Sequence, residues 1–217
     1  MRATILTSKN SWIYINRKKF SKKLFKNVDS LKIISNSSQI KYNNNILIIL
    51  SYTKLINSKD LKKSDLNLVV HESNLPLGKG WTPLFWQILR GQTKIVTTLF
   101  EPNLKIDDGK IIMKKIFNYE KDLVYEEIKV RQFNNAVYLI NKFITKYKKN
   151  KSISYYKPNS KIKSSFYKKR YPKMSKIDLK KNLESQINLL RISDNKSYPC
   201  FFYFNGKKFF LKLSKKV

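Results

Sequence analysis

Carboxylates are scarce in this chain. Across 217 residues, 14 Asp and Glu face 46 Lys and Arg, a formal net charge of +32. A field of that sign attracts polyanions: nucleic acid, anionic lipid or phosphorylated substrates. The same surplus also follows from composition, because Lys, Asn, Ile, Tyr and Phe all have A/T-rich codons and the basic residues are spread along the chain. Cysteine occurs once, at Cys200. That excludes an internal disulfide and makes a reducing cytoplasm the expected compartment. Its neighbours Phe201, Phe202, Tyr203 and Phe204 point to a buried, inert thiol. With 5 Gly and 6 Pro the chain is neither fibrous nor low-complexity, and with 41% hydrophobic residues it is not disordered. Long apolar runs are missing too. Nothing approaches the roughly 20 residues a membrane helix needs, and Ala3 to Leu6 is too short for a secretory signal. No metal site is expected.

What is present is an alternation of strand and helix patterns. Arg2 to Thr7 reads as a first strand, and Ser11 opens a helix with Ile13, Phe20 and Leu24 on one face. Leu31 to Ser35, Asn45 to Ser51 and Asn67 to His71 read as further strands. The second of these is a continuous apolar run, as a strand buried on both faces requires. Thr82-Pro83 starts a helix that Gly91 stops. Thr93 to Glu101 and Lys110 to Phe117 are strands around a turn at Asp107, Asp108 and Gly109. Val124 to Lys149 is a long amphipathic helix with Glu126 and Glu127 at its start and lysines at its end, as the helix dipole favours. This order implies an α/β fold, an open Rossmann-like, mostly parallel sheet with flanking helices. Residues 150–217 read as an extension: a basic linker (Lys151 to Met174), a short helix (Leu179 to Arg191), and a β-hairpin turning at Asn205-Gly206.

In open α/β sheets, chemistry gathers at the carboxyl ends of the strands. The one histidine, His71, ends its strand and opens a Pro- and Gly-rich loop, His71-Glu-Ser-Asn-Leu-Pro-Leu-Gly-Lys-Gly-Trp-Thr-Pro83. The pattern is His-x-Ser-x-Leu-Pro, then a basic residue before Gly80, then Pro83 at a helix start, then Asp107-x-Gly109 downstream. In these features the chain resembles the formyltransferase family, densely from about Leu50 to Ile112. More weakly, Tyr167 to Pro172, Asn188 to Ser193 and Tyr198-Pro199 resemble the tail of the nucleotide-sugar formyltransferases.

The resemblance implies transfer of a formyl group from 10-formyltetrahydrofolate to an amine, with residues 1–149 as the catalytic domain. It gives His71 the role of stabilising the oxyanion or protonating the departing folate nitrogen, and Asp107 that of the catalytic acid beside it. It implies a folate slot lined by Leu50, Ser51 and Tyr52 and by the stretch Phe100 to Asp107, Ile106 among it, largely through backbone groups. Lys79 stands where the family commonly has Arg, and with Gly80 it is expected at the substrate. One position departs from the pattern. The family has an Asn two residues before the His, an amide that donates to the formyl oxygen, and here that residue is Val69. Loss of one such donor costs about 3–4 kcal/mol. Asn67 shares that strand face but lies about 7 Å further from the site. Ser73, Asn74, a backbone N–H or a water are the expected replacements.

Two amines compete. A nucleotide-linked amino sugar of surface polysaccharide synthesis suits the tail resemblance, and Lys168, Lys169 and Arg170 can meet its pyrophosphate. Initiator methionyl-tRNA suits the charge, but its enzymes carry a larger C-terminal barrel than the residues after Lys149 allow. The sugar is favoured. A third reading is a non-catalytic folate- or sugar-binding relative that lost the Asn.

Overall fold

The structure is a computed structural model that describes residues 1–26, 28–156 and 161–215. Its centre is a six-stranded sheet made of β1 (Arg2–Leu6), β2 (Ser30–Ile34), β3 (Asn44–Ile49), β4 (Ser64–His71), β6 (Lys94–Pro102) and β7 (Gly109–Asn118), in the spatial order β2-β1-β3-β4-β6-β7. The first four strands run parallel; β6 is antiparallel to β4, and β7 to β6. Short helices α1 (Trp12–Ile15), α2 (Ser58–Leu61) and α3 (Pro83–Leu89) fall between strands. They are followed by the long α4 (Tyr125–Asn150) and, near the C-terminus, by α5 (Ile187–Arg191). Two small two-stranded sheets complete the molecule: β5 (Lys79–Gly80) with β8 (Phe166–Tyr167), and the hairpin β9 (Cys200–Phe204) with β10 (Lys207–Leu211). No helix is long and apolar enough to cross a membrane, among the described residues.

The pleat decides which side chains meet. Ile46, Leu47 and Ile48 in β3 are fully buried, each contributing about 1.5–3 kcal/mol of burial free energy. Ile46 and Ile48, with Leu66, Leu68 and Val70 of β4, pack against Phe133, Ile140 and Ile144 of α4. Leu47 and Ile49 face the other way, with Leu6, Ile34 and Ile40, and half-buried Val69 joins them. Alternation therefore turns Asn67, Val69 and His71 away from α4. Val124 is the N-cap of α4, and its backbone N–H donates to Glu127 Oε2 at 2.9 Å.

Several elements differ from the sequence expectation. The helix after Ser11 lasts one turn: Ser11 caps it, but the Asn16 side chain donates to the Trp12 carbonyl and Phe20 is extended at φ −103°, ψ 129°. A short polar side chain that bonds its own backbone competes with continuing the helix. Phe20 instead stacks on Phe133, with centroids 4.1 Å apart. Thr82 does not cap α3; it is left-handed at φ 46° with no side-chain cap bond, and Pro83 begins the helix. In the stretch from Leu179, the Gln186 amide donates to the carbonyls of Asp178, Lys181 and Asn182, so regular α-helix is confined to α5. The basic stretch Lys151 to Met174 is not only a tether: Tyr156 N–H donates to the Ile111 carbonyl at 2.6 Å, and β8 pairs with β5. Residues 157–160 of that stretch and 216–217 of the extension lie outside the described residues. The hairpin turn is as expected, with Asn205 and Gly206 both left-handed at φ 47° and 72°. Cys200 is buried, its thiol donating to Ser193 Oγ, and burial pushes its pKa up.

Among the glycines, Gly109 leaves the least room for a side chain. Its φ is 140°, and a Cβ there would lie 2.0 Å from the Glu101 carbonyl oxygen. Gly206 has a positive φ but open space around it. Gly109→Ala is therefore expected to cost more than the roughly 1–3 kcal/mol of backbone strain alone. It should lower Tm at least twice as far as Gly206→Ala, measured by thermal denaturation of both variants.

Candidate active site

The sheet delivers His71 to the carboxyl end of β4, and the loop that follows folds back over it. The ring is buried. Its Nε2–H donates to the Gly78 carbonyl at 2.9 Å, and Nδ1 lies 3.5 Å from Asp107 Oδ1. Both ring nitrogens face protein oxygens, one on each side of the ring. Asp107 is placed by a left-handed backbone, φ 44°, which Asp tolerates better than most residues. Its second oxygen accepts the Gly80 N–H at 2.7 Å. One carboxylate thus spans the histidine and the loop that holds the histidine.

The neighbouring Asp108 is a buttress. It accepts from Asn103 Nδ2 at 2.7 Å and from Lys79 Nζ at 2.9 Å. The Asn103 hydrogen bond first, and then Lys79, hold its carboxyl below the usual range. Lys79 is buried, and its ammonium is taken up in this pair. Gly80 has no room for a side chain, because a Cβ would sit 2.6 Å from the Tyr167 carbonyl oxygen. The two residues expected at the substrate are thus engaged inside the protein, where they hold the loop.

Ser73 is 2% exposed, and its hydroxyl is buried without a hydrogen-bond partner among the described residues. Its backbone is fixed at both ends: its N–H donates to the His71 carbonyl at 2.9 Å, and its carbonyl accepts from Thr98 Oγ1 at 2.6 Å. Thr98 is the cross-strand partner of His71. Asn74 is already used, since its amide oxygen and the Leu75 carbonyl accept from Lys114 Nζ at 2.7 and 2.6 Å. Val69 sits on the His71 face, packed on Leu75, Phe100 and Ile111. Asn67 donates to the Leu61 carbonyl at 3.1 Å and leaves its amide oxygen buried and unpartnered. It lines an open cleft of about 330 Å³ with Ser58, Leu61, Pro102, Asn103 and Leu104. That cleft shares residue Asn103 with the Asp108 buttress.

The residues expected around the folate differ in exposure. Leu50 and Phe100 are buried in the core, and the Leu50 N–H is already bonded to the Leu6 carbonyl. Ser51 is exposed and left-handed, its carbonyl accepting the Ser8 N–H. Tyr52 is half-buried against the Leu47 and Ile49 cluster, and Ile106 is exposed. Asn103, Lys114 and Ser165, whose hydroxyl accepts the Gly78 N–H at 2.9 Å, were not singled out from the sequence. Ser165 is 87 residues from its partner in a basic, aperiodic stretch, so no local pattern marks it.

No family model matches the chain. It is 29% identical over 191 residues to the bifunctional polymyxin resistance protein ArnA of Wigglesworthia glossinidia brevipalpis. The match covers 88% of this chain and 29% of that protein's length. Among solved structures, the methionyl-tRNA formyltransferase from Clostridium thermocellum superposes with a TM-score of 0.74 at 21% identity, covering 100% of this chain and 94% of that one. The N-formyltransferase of Helicobacter canadensis, in complex with folinic acid and dTDP-3-aminofucose, superposes with a TM-score of 0.64 at 23% identity, covering 95% and 85%. The chain therefore resembles formyltransferases in sequence, and its fold is the Rossmann-like formyltransferase fold.

Proposed function

We propose that this chain transfers the formyl group of 10-formyltetrahydrofolate to the amine of a nucleotide-linked amino sugar, in the cytoplasm, with residues 1–149 as the catalytic domain and 150–217 as an extension. The observation that carries the reading is the pairing of His71 with Asp107 at 3.5 Å, beneath a loop whose Gly80 N–H holds the same carboxylate. The folinic acid and amino sugar bound in the Helicobacter canadensis structure support the choice of donor and acceptor.

In this reaction a new bond forms between the acceptor nitrogen and the formyl carbon, and the bond from that carbon to the folate nitrogen breaks. The acceptor nitrogen loses a proton and the folate nitrogen gains one. Negative charge develops on the formyl oxygen between these events, and fixed hydrogen-bond donors aimed at it lower the barrier. His71 is the donor to that charge or to the leaving nitrogen, its Nε2–H passing there from the Gly78 carbonyl, and Asp107 orients the ring from the Nδ1 side. Val69 donates nothing. Ser73, with a hydroxyl that has no partner among the described residues, supplies the missing donor. Methionyl-tRNA is the second acceptor, favoured by the net charge of +32 and the Clostridium thermocellum likeness.

Incubation with 10-formyltetrahydrofolate and a panel of dTDP- and UDP-linked amino sugars should yield a formylated sugar by mass spectrometry. Folate binding without turnover on any sugar or on methionyl-tRNA would instead mark a non-catalytic relative. His71→Gln and Asp107→Asn should each lower kcat/KM by about 10²-fold or more while leaving Tm within a few degrees. Ser73→Ala should lower kcat by roughly 10-fold or more without loss of thermal stability, because the hydroxyl has no bond in the free protein to lose. Unchanged kcat would remove Ser73 from the chemistry.

A further inference from the structure

The C-terminal part of the molecule concentrates an arrangement that the proposed reaction does not use. Between Lys161 and Ile177 there are seven Lys or Arg and no carboxylate, and between Asn195 and Lys215 five Lys and again no carboxylate. Aromatic rings interleave with these cations. On one face of the β9–β10 hairpin, Tyr203 lies opposite Lys208, and Phe201 opposite Phe210. Lys208 Nζ stands 4.0 Å from the Phe201 ring centre and 5.0 Å from that of Phe210. Lys176 Nζ stands 5.4 Å over Tyr203. Phe201 is buried and forms the floor, while the rings of Tyr203 and Phe210 are half open to solvent.

The pattern continues toward the catalytic loop. Lys176 bridges to the hairpin through the Ile177 N–H, which donates to the Phe201 carbonyl at 2.7 Å. Five residues upstream, at most about 18 Å of chain, exposed Tyr171 shares Lys169 with Trp81, at 5.9 and 4.8 Å. Trp81 directly follows Gly80, whose N–H holds Asp107.

We infer that this hairpin face is a docking surface for single-stranded nucleic acid, with unpaired bases stacking on Tyr203 and Phe210 and phosphates meeting Lys176 and Lys208. Open rings with ammonium groups beside them are what such a strand engages, since every base has a π-face and every linkage a negative charge. A duplex is a poorer fit because its base faces are stacked away. A membrane is a poorer fit because Phe204 and Phe209 project from the opposite face of the hairpin. A second copy would bring two strongly basic surfaces together.

The test is fluorescence anisotropy of the full chain with a labelled oligouridylate of about 12 nucleotides, within the range such surfaces cover. Binding should weaken steeply with salt and resist competition by duplex RNA of equal length. It should fall at least tenfold in Tyr203→Ala/Phe210→Ala and, separately, in Lys208→Glu, with Tm and small-molecule formyl transfer retained. Absence of binding would overturn the inference, as would equal affinity for duplex, or binding that neither variant changes. Preferential binding to phosphatidylglycerol vesicles, or self-association that the variants abolish, would assign the face to a lipid surface or to a second copy instead. The inference does not rest on the proposed reaction, so failure of one assay leaves the other readable.

Discussion

The site depends on a single carboxylate that answers to two masters. Asp107 accepts the Gly80 N–H with one oxygen and faces the His71 ring with the other. The loop from residue 71 to residue 80 is thereby closed at both ends, because the Gly78 carbonyl accepts from the same ring. Each contact is modest alone, but the buried groups involved are costly to leave unpaired. The ring cannot turn without losing one acceptor, and the loop cannot lift without stripping Asp107 of its donor.

Support for this closure comes from distant chain. β7 supplies Lys114, whose ammonium holds the Asn74 side chain and the Leu75 carbonyl, and burial pushes its pKa down. β8 and Ser165 arrive from beyond α4 to pair with β5 and to take the Gly78 N–H. The Lys79–Asp108 pair sits beneath, with Asn103 completing it. The segment after α4 is thus structural for the catalytic loop at one end, and at the other it carries the exposed aromatic and basic surface that leads to the hairpin. The support of the loop and the aromatic, basic surface occupy one continuous stretch.

The amide that formyltransferases place two residues before the histidine is a packing residue in this chain. Val69 joins Leu75, Phe100 and Ile111 in a small apolar cluster. An apolar side chain there relieves the need to satisfy a polar one, and it leaves Ser73 as the buried hydroxyl beside His71 that is free of protein partners among the described residues.

Amino-acid order alone determined the sheet's strands, the long helix and the hairpin turn, because each is written in local rules. Continuous apolar runs bury on both faces, a 3.6-residue stripe packs on a sheet, and Asn-Gly adopts two left-handed residues in succession. It also singled out His71, at a strand's carboxyl end before a Pro- and Gly-rich loop, and, through the resemblance to formyltransferases, Asp107. It misjudged the segments after Ser11 and Leu179, where side chains of Asn16 and Gln186 bond nearby carbonyls and stop a helix that periodicity favours. Tertiary structure alone decided that Lys79 and Gly80 brace the loop, that Leu50 and Phe100 lie in the core, and that Ser165 belongs beside His71's loop. The reason is distance along the chain. A hydrogen bond between residues 87 apart leaves no periodic trace in either segment, and exists only once the sheet has brought both ends to the same edge.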